Sequence, residues 1–167
     1  MDNKYEILPV VDENGNVTGK IERGIAHSGT KILHPVVHLH VFSPDGKIYL
    51  QKRPVWKDVQ PGKWDTAVGG HIGFGEDVAN ALRREIKEEL GITPAKIEAL
   101  GHYVFESNIE KELIYVHKTV YSGNICPDKN ELDGGRFWTK DEIIDNIGKN
   151  IFTPNFEHEY TGFFMAK

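Results

Sequence analysis

The chain has 167 residues, of which 39% are hydrophobic and 27% charged, so it can bury its own core and is neither disordered nor collagenous. Twenty Lys and Arg against 25 Asp and Glu give a net charge of −5, which excludes a general polyanion-binding surface and hence nucleic acid as the main partner. No apolar run approaches the ~18 residues that span a bilayer, so no membrane association is expected.

Cysteine usage and the first residues predict the compartment. Cys126 is the single cysteine and cannot form an internal disulfide. The N-terminal residues lack the basic and apolar regions of a signal peptide. We therefore expect a cytoplasmic protein, and the absence of repeats or linkers predicts one domain over residues 1–167.

Two β-hairpins are predicted in the N-terminal part. Residues 5–23 contain a short apolar run, a polar turn and an alternating segment, which indicates a hairpin. Residues 34–53 alternate in the same way around a Ser-Pro-Asp-Gly turn, which indicates a second one. Periodicity is lost between Pro54 and Val68, so an irregular loop is expected there.

The remaining sequence mixes helices and strands. Residues 77–90 place apolar side chains at helical spacing, and Gly91 is suited to end the helix. The further predicted elements are strands at 96–105, 113–122 and 136–138, a helix capped by Thr139 and Glu142, and a short helix at 156–164. This mixture is typical of an α/β or α+β domain.

Three glutamates share one stripe of the first long helix. Glu85, Glu88 and Glu89 stand at i, i+3 and i+4, a spacing that puts their carboxylates on one face. Such clustering is destabilising unless a cation lies over it, and Mg²⁺ or Mn²⁺ prefers these oxygen ligands. Arg84 can orient one carboxylate or pair with Glu76. The alternative is a solvated helix face that binds nothing.

A glycine-rich connection precedes this helix, and the two together resemble a known signature. Residues 70–92, GHIGFGEDVANALRREIKEELGI, resemble the Nudix hydrolase motif G-x5-E-x7-R-E-U-x-E-E-x-G-U, in which U is aliphatic. Its fixed positions are met by Gly70, Glu76, Arg84, Glu85, Glu88, Glu89 and Gly91. The resemblance implies a Nudix-type α/β/α sandwich around a mixed β-sheet.

The same resemblance implies a reaction and roles for the residues. Nudix enzymes typically cleave a diphosphate linked to another moiety with Mg²⁺ or Mn²⁺, so a nucleoside diphosphate derivative or related small molecule is the expected substrate. It implies that the three glutamates of the stripe are metal ligands, together with the Gly70 carbonyl. One of them, or a distant glutamate such as Glu131, would deprotonate the attacking water, while Arg84 and Glu76 orient the site.

A second resemblance concerns a different branch of this superfamily. Trp64 to His71, WDTAVGGH, is similar to isopentenyl diphosphate isomerases, which bind a divalent metal through three histidines and glutamate. It implies a second metal site made of His27, His34, His71 and Glu131. The position of the isomerase's catalytic cysteine holds Gly69, which has no side chain to transfer a proton. Hydrolysis is therefore favoured, and isomerisation is the alternative.

Substrate-binding residues are less clearly indicated. Arg53 can meet a phosphate or serve as a solubilising charge, while Trp64 and Phe74 can stack on a base or lie in the core. His38 and His40 have zinc-ligand spacing, but alternating polar residues on a half-exposed strand are more common. A homodimer is a reasonable expectation for exposed hairpins.

Overall fold

The computed structural model describes residues 3–165, which form a mixed α+β structure. Its elements are β1 (Ile7–Val11), β2 (Val17–Glu22), α1 (Arg23–Ala26), β3 (Leu33–Phe42), β4 (Ile48–Lys52), β5 (Trp64–Thr66), β6 (Val68–His71), α2 (Val78–Leu90), β7 (Glu98–Glu106), β8 (Lys111–Val120), β9 (Gly135–Trp138), α3 (Lys140–Asn146), α4 (Pro154–Glu159) and a π-helix (Tyr160–Met165) that continues α4.

Seven strands form one mixed sheet. Its main order is β5-β4-β3-β8-β7, while β6 pairs with β3 and β9 pairs with β4. Strands β3 and β8 run parallel over ten residue pairs, and the other pairs are antiparallel. Strands β1 and β2 form the predicted N-terminal hairpin as a separate two-stranded sheet. The predicted fold class is therefore confirmed.

Strand β3 is buried along most of its length because helices cover both faces of the sheet. Val37 and Leu39 pack in a cluster with the apolar side of α2, whereas His38 and His40 point to the other face, where Glu159 of α4 contacts them. Alternation along the strand thus sends odd and even positions to different layers.

Helix α2 matches its prediction to within one residue. The Asp77 side chain accepts a hydrogen bond from the Asn80 N–H at the start, and Gly91 ends the helix with a φ of 64°, in the left-handed region that glycine tolerates. Its buried side chains include Leu82 and Ile86. The opposite side therefore carries the glutamate stripe toward the cavity described below.

The predicted irregular loop at 54–68 was wrong at its end, because β5 and the start of β6 are strands. Their hydrogen bonds go to distant segments: β5 pairs with β4, and Gly70 of β6 pairs with Val37 of β3. Segments of three or four residues are too short to show periodicity, so only tertiary pairing reveals them as strands.

No helix within residues 3–165 is long and apolar enough to cross a membrane. The cytoplasmic location and the homodimer stay predictions.

Candidate active site

A cavity of about 1020 Å³ opens beside α2, β3 and β6, a size that accommodates a small-molecule substrate. The sequence-predicted residues among its lining are His27, Arg53, Gly70, His71, Arg84, Glu85, Glu88, Glu89 and Glu131. The structure therefore brings the glutamate stripe of α2 and part of the histidine set to one space.

Arg84 fixes α2 against the sheet. Its guanidinium donates to both carboxylate oxygens of Glu76 at 2.8 and 2.9 Å, and to the backbone carbonyl of His71 at 3.0 Å. Hydrogen bonds from Arg84 are the main reason that the pKa of Glu76 is lowered. Another Arg84 nitrogen donates to Glu85 at 2.7 Å. This geometry suits the orienting role predicted for Arg84 and Glu76.

Glu85 lies against the glycine backbone of β6. A Cβ at Gly70 would overlap the Glu85 carboxylate, so glycine is needed for this close approach. Burial raises the pKa of Glu85 to about 7. Burial and the neighbouring Glu85 also raise the pKa of Glu89 well above its ordinary value. These carboxylates repel each other and favour an added positive charge.

The other two glutamates of the stripe differ in exposure, since Glu89 is half-buried and Glu88 is exposed. Glu89 accepts hydrogen bonds from the Gln51 side chain at 3.4 Å and the Gly69 N–H at 3.3 Å. The side chain of Glu88 is 58% exposed and lies 3.3 Å from Arg84. Clustered carboxylates of this kind supply the oxygen ligands that Mg²⁺ or Mn²⁺ prefers.

A second group of ligand atoms gathers around His71, the last residue of β6. One ligand atom from each of His27, His34, His71 and Glu112 falls within 4.8 Å of the others. The Nε2 atoms of His27 and His71 are 2.9 Å apart. This three-histidine, one-carboxylate set has the donor atoms of a transition-metal site.

The tautomer of His34 supports this interpretation. Its Nδ1 lies 2.9 Å from the Ile32 carbonyl and is therefore the protonated nitrogen. Its Nε2 is buried without a hydrogen-bond partner within residues 3–165 and lies 3.8 Å from Glu112. A buried lone pair aimed at other ligand atoms is the arrangement that a metal ion satisfies.

The acidic member of this cluster differs from the prediction. Glu112 occupies the place expected for Glu131, whose carboxylate instead lies 3.8 Å from Lys57 and is 41% exposed. Glu110, two residues before Glu112 on β8, lies 3.4 Å from His27. Glu112 joins the histidines because it is paired with His34 across the parallel strands β3 and β8. The Glu-Lys-Glu alternation of residues 110–112 is the sequence signal that was missed.

A comparison with protein-family models assigns the chain to a family. The NUDIX domain model matches residues 32–156. The chain belongs to the Nudix hydrolase family.

Relatives cover most of this Nudix hydrolase. An uncharacterized Nudix hydrolase of Listeria monocytogenes is 31% identical, covering 88% of each chain. An isopentenyl-diphosphate Delta-isomerase of Streptomyces avermitilis is 28% identical, covering 90% of this chain and 79% of its own. A crystal structure from Deinococcus radiodurans has the same fold, with a TM-score of 0.79 at 21% identity, and covers 95% of this chain and 99% of its own.

The three predicted substrate-binding residues have other surroundings in this Nudix hydrolase. Arg53 lines the cavity, but its guanidinium donates to the Val59 carbonyl at 3.0 and 2.8 Å, so it anchors the loop after β4. Trp64 packs edge-on against Trp138 at 5.2 Å between ring centroids. Phe74 is exposed. Neither Trp64 nor Phe74 is among the residues that line the cavity, so their substrate contact stays a prediction that the geometry of the cavity does not support.

His38 and His40 were expected on a half-exposed strand, yet both are buried. His38 Nδ1 lies 2.6 Å and His40 Nε2 2.7 Å from the carboxylate of Glu159. Sequence reasoning missed Glu159 because it lies more than 110 residues downstream, in α4.

Proposed function

We propose that this chain is a divalent-metal-dependent hydrolase that cleaves a diphosphate linkage in a nucleoside diphosphate derivative or related small molecule by attack of water at phosphorus. The observation that carries the proposal is the convergence of Glu85, Glu88 and Glu89 with the glycine backbone of β6 on one cavity. Clustered carboxylates beside an open space are suited to hold a cation and a phosphorylated ligand together.

The donor set fits Mg²⁺ or Mn²⁺, with Glu85, Glu88, Glu89 and the Gly70 carbonyl as its ligands. When bound, such a cation neutralises phosphoryl oxygens and makes water more acidic. Arg84 holds the Glu85 carboxylate in place through its 2.7 Å hydrogen bond. One glutamate of the stripe, or Glu131 in the same cavity, accepts the proton of the attacking water.

A second metal ion is proposed at the histidine cluster. His27, His34 and His71 would supply nitrogen ligands, and Glu112 an oxygen. Burial lowers the pKa of His34 and of His71, which keeps their rings neutral and able to bind a metal. A first-row transition ion suits this nitrogen-rich set better than Mg²⁺ does.

The second candidate function is isomerisation of an isopentenyl diphosphate-like compound. It is favoured by the same histidine cluster and by relatives named isopentenyl-diphosphate Delta-isomerase. Gly69 argues against it, because a proton transfer at carbon needs a side chain that carries the proton.

A screen of the purified protein with Mg²⁺ or Mn²⁺ tests the proposal. Phosphate release and product masses are measured for a panel of diphosphate compounds that includes nucleoside diphosphate derivatives and isopentenyl diphosphate. Glu89→Gln, and likewise Glu88→Gln, should lower turnover by about 100-fold or more while leaving the fold intact. Glu98→Gln is the matched control, because Glu98 is exposed beside Lys118 and does not line the cavity.

Cleavage that Glu89→Gln loses and Glu98→Gln keeps supports the hydrolase. Full activity in both Glu88→Gln and Glu89→Gln contradicts the role of the stripe. Isomerisation without cleavage establishes the second candidate, and no reaction with any compound contradicts both.

A further inference from the structure

A carboxylate with no part in the proposed chemistry so far lies behind the cavity. Glu159 is fully buried. Its oxygens are 2.6 Å from His38 Nδ1 and 2.7 Å from His40 Nε2, and the Tyr103 hydroxyl donates to it at 2.8 Å. A buried carboxylate requires both hydrogen bonds and a compensating positive charge.

The geometry identifies His38 as the group that carries this charge. His40 donates to Glu159 through Nε2, and its Nδ1 is buried without a partner within residues 3–165. A proton added at that Nδ1 would have no acceptor in the structure described here. Tyr103 is a neutral donor. His38 has its second ring nitrogen near the cavity, where a proton on Nε2 can meet a ligand.

Electrostatics agrees with this assignment. Burial alone would lower the pKa of His38, but the charge of Glu159 and its hydrogen bond outweigh burial, and Asp65 and Glu112 add to them, so the pKa rises to about 9. The pKa of Glu159 is lowered in turn despite its burial, chiefly by His38.

Gly69 leaves space beside the Nε2 edge of His38. The two residues are paired across β3 and β6, and both line the cavity. A Cβ at position 69 would lie 3.3 Å from both Cδ2 and Nε2 of His38. With glycine there, no Cβ stands against Nε2, and within residues 3–165 this nitrogen makes no hydrogen bond.

Other basic groups of the cavity are engaged by protein acceptors. Arg84 donates to two glutamates and a backbone carbonyl. Arg53 donates to a backbone carbonyl and to Asp65, and Lys57 lies beside Glu131. The ring of His38 differs because its single protein bond leaves one N–H directed at the space that a ligand would fill.

We propose that His38, held by Glu159 and with Gly69 beside its Nε2 edge, donates a hydrogen bond from Nε2 to an anionic phosphate oxygen of the substrate. This inference rests on the proposed function, because it assigns an anion contact within the same cavity. His38 thus becomes a substrate-binding residue, and Glu159 a positioning residue that acts through it.

The test uses methylenediphosphonate, a non-hydrolysable diphosphate, with the full chain and Mg²⁺. Isothermal titration calorimetry should show that His38→Gln binds it about 10- to 100-fold more weakly than the wild type, as expected for loss of a charge-assisted hydrogen bond. His40→Gln is the matched control: it bonds to the same carboxylate but does not line the cavity. It should bind within a factor of about three of the wild type.

A second variant and a spectrum cover the case in which His38→Gln does not fold. Gly69→Ala keeps the pair of His38 with Glu159 and places a methyl group over Nε2. In ¹⁵N-histidine-labelled wild type the His38 Nε2 resonance should move when methylenediphosphonate is added, and in Gly69→Ala it should not.

The results separate this inference from the proposed function. Wild-type binding with equal affinity in His38→Gln, or an unmoved His38 resonance, overturns this inference and leaves the proposed hydrolase standing. Equal weakening in His38→Gln and His40→Gln also overturns it, because both then act only by holding Glu159. A wild type that does not bind the diphosphonate contradicts diphosphate recognition itself.

Discussion

Replacing Glu159 by glutamine should destabilise the protein in a pH-dependent way. The change keeps the size of the side chain but removes the buried charge that His38 compensates. Without that charge, burial dominates and His38 becomes neutral in the folded state. The loss of stability in Glu159→Gln therefore measures what the Glu159–His38 ion pair contributes to the free energy of unfolding.

The magnitude follows from the pKa of His38. A rise from 6.5 to about 9 corresponds to roughly 3 kcal/mol at 1.36 kcal/mol per unit. Because the pKa is raised on folding, this stabilisation is fully present below about pH 6.5 and is lost as the pH rises through about 9. The lowered pKa of Glu159 acts only in acid, since its contribution is present above about pH 4.5 and is lost below that.

Urea unfolding of the wild type and Glu159→Gln at several pH values from 6 to 10 checks this expectation. The wild type should be more stable by about 3 to 5 kcal/mol near pH 6.5, and the difference should shrink by roughly 3 kcal/mol by pH 10. Subtracting the two curves removes the titration of all groups that the substitution leaves unchanged. A difference that stays constant across this range would refute the ion pair of Glu159 and His38.

Two further predictions concern the two candidate metal sites. Gly70→Ala should displace the Glu85 carboxylate, which occupies the position of the added Cβ; turnover with Mg²⁺ should fall by at least about 10-fold, and the free energy of unfolding by about 1 to 3 kcal/mol. Gly162→Ala is the control, because a Cβ there meets no atom within 4 Å. Equal turnover in the two variants would contradict the prediction. Glu112→Gln should weaken the binding of Co²⁺, measured by its visible absorption, by about 10- to 100-fold, whereas Glu131→Gln should leave it unchanged. The reverse result would restore Glu131 as the carboxylate of the histidine cluster, as expected from sequence.

Helix α2 and its chemistry could be predicted because both depend on local order. The spacing of Leu82 and Ile86, the cap at Asp77 and the stop at Gly91 are all contained in a few consecutive residues, and the structure reproduces them. The glutamate stripe follows from helical geometry alone, so its convergence on a cavity required only that the opposite face be buried.

Residues that meet across strands could not be predicted in the same way. The choice between Glu112 and Glu131 depends on the parallel pairing of β3 with β8, and both candidates look alike as isolated glutamates. Trp64 likewise lies against Trp138 rather than in the cavity because β5 and β9 flank the same strand, β4.

The sequence by itself determined the family signature, the helix that carries it and the mixed α+β class, since each is encoded in local spacing. Only the tertiary structure decided which carboxylate joins the three histidines and that Glu159 lies behind His38. Strand pairing brings Glu112 to His34, and the packing of α4 brings Glu159 to His38, which is 121 residues away in the chain. The burial of these groups then sets the charges that they carry.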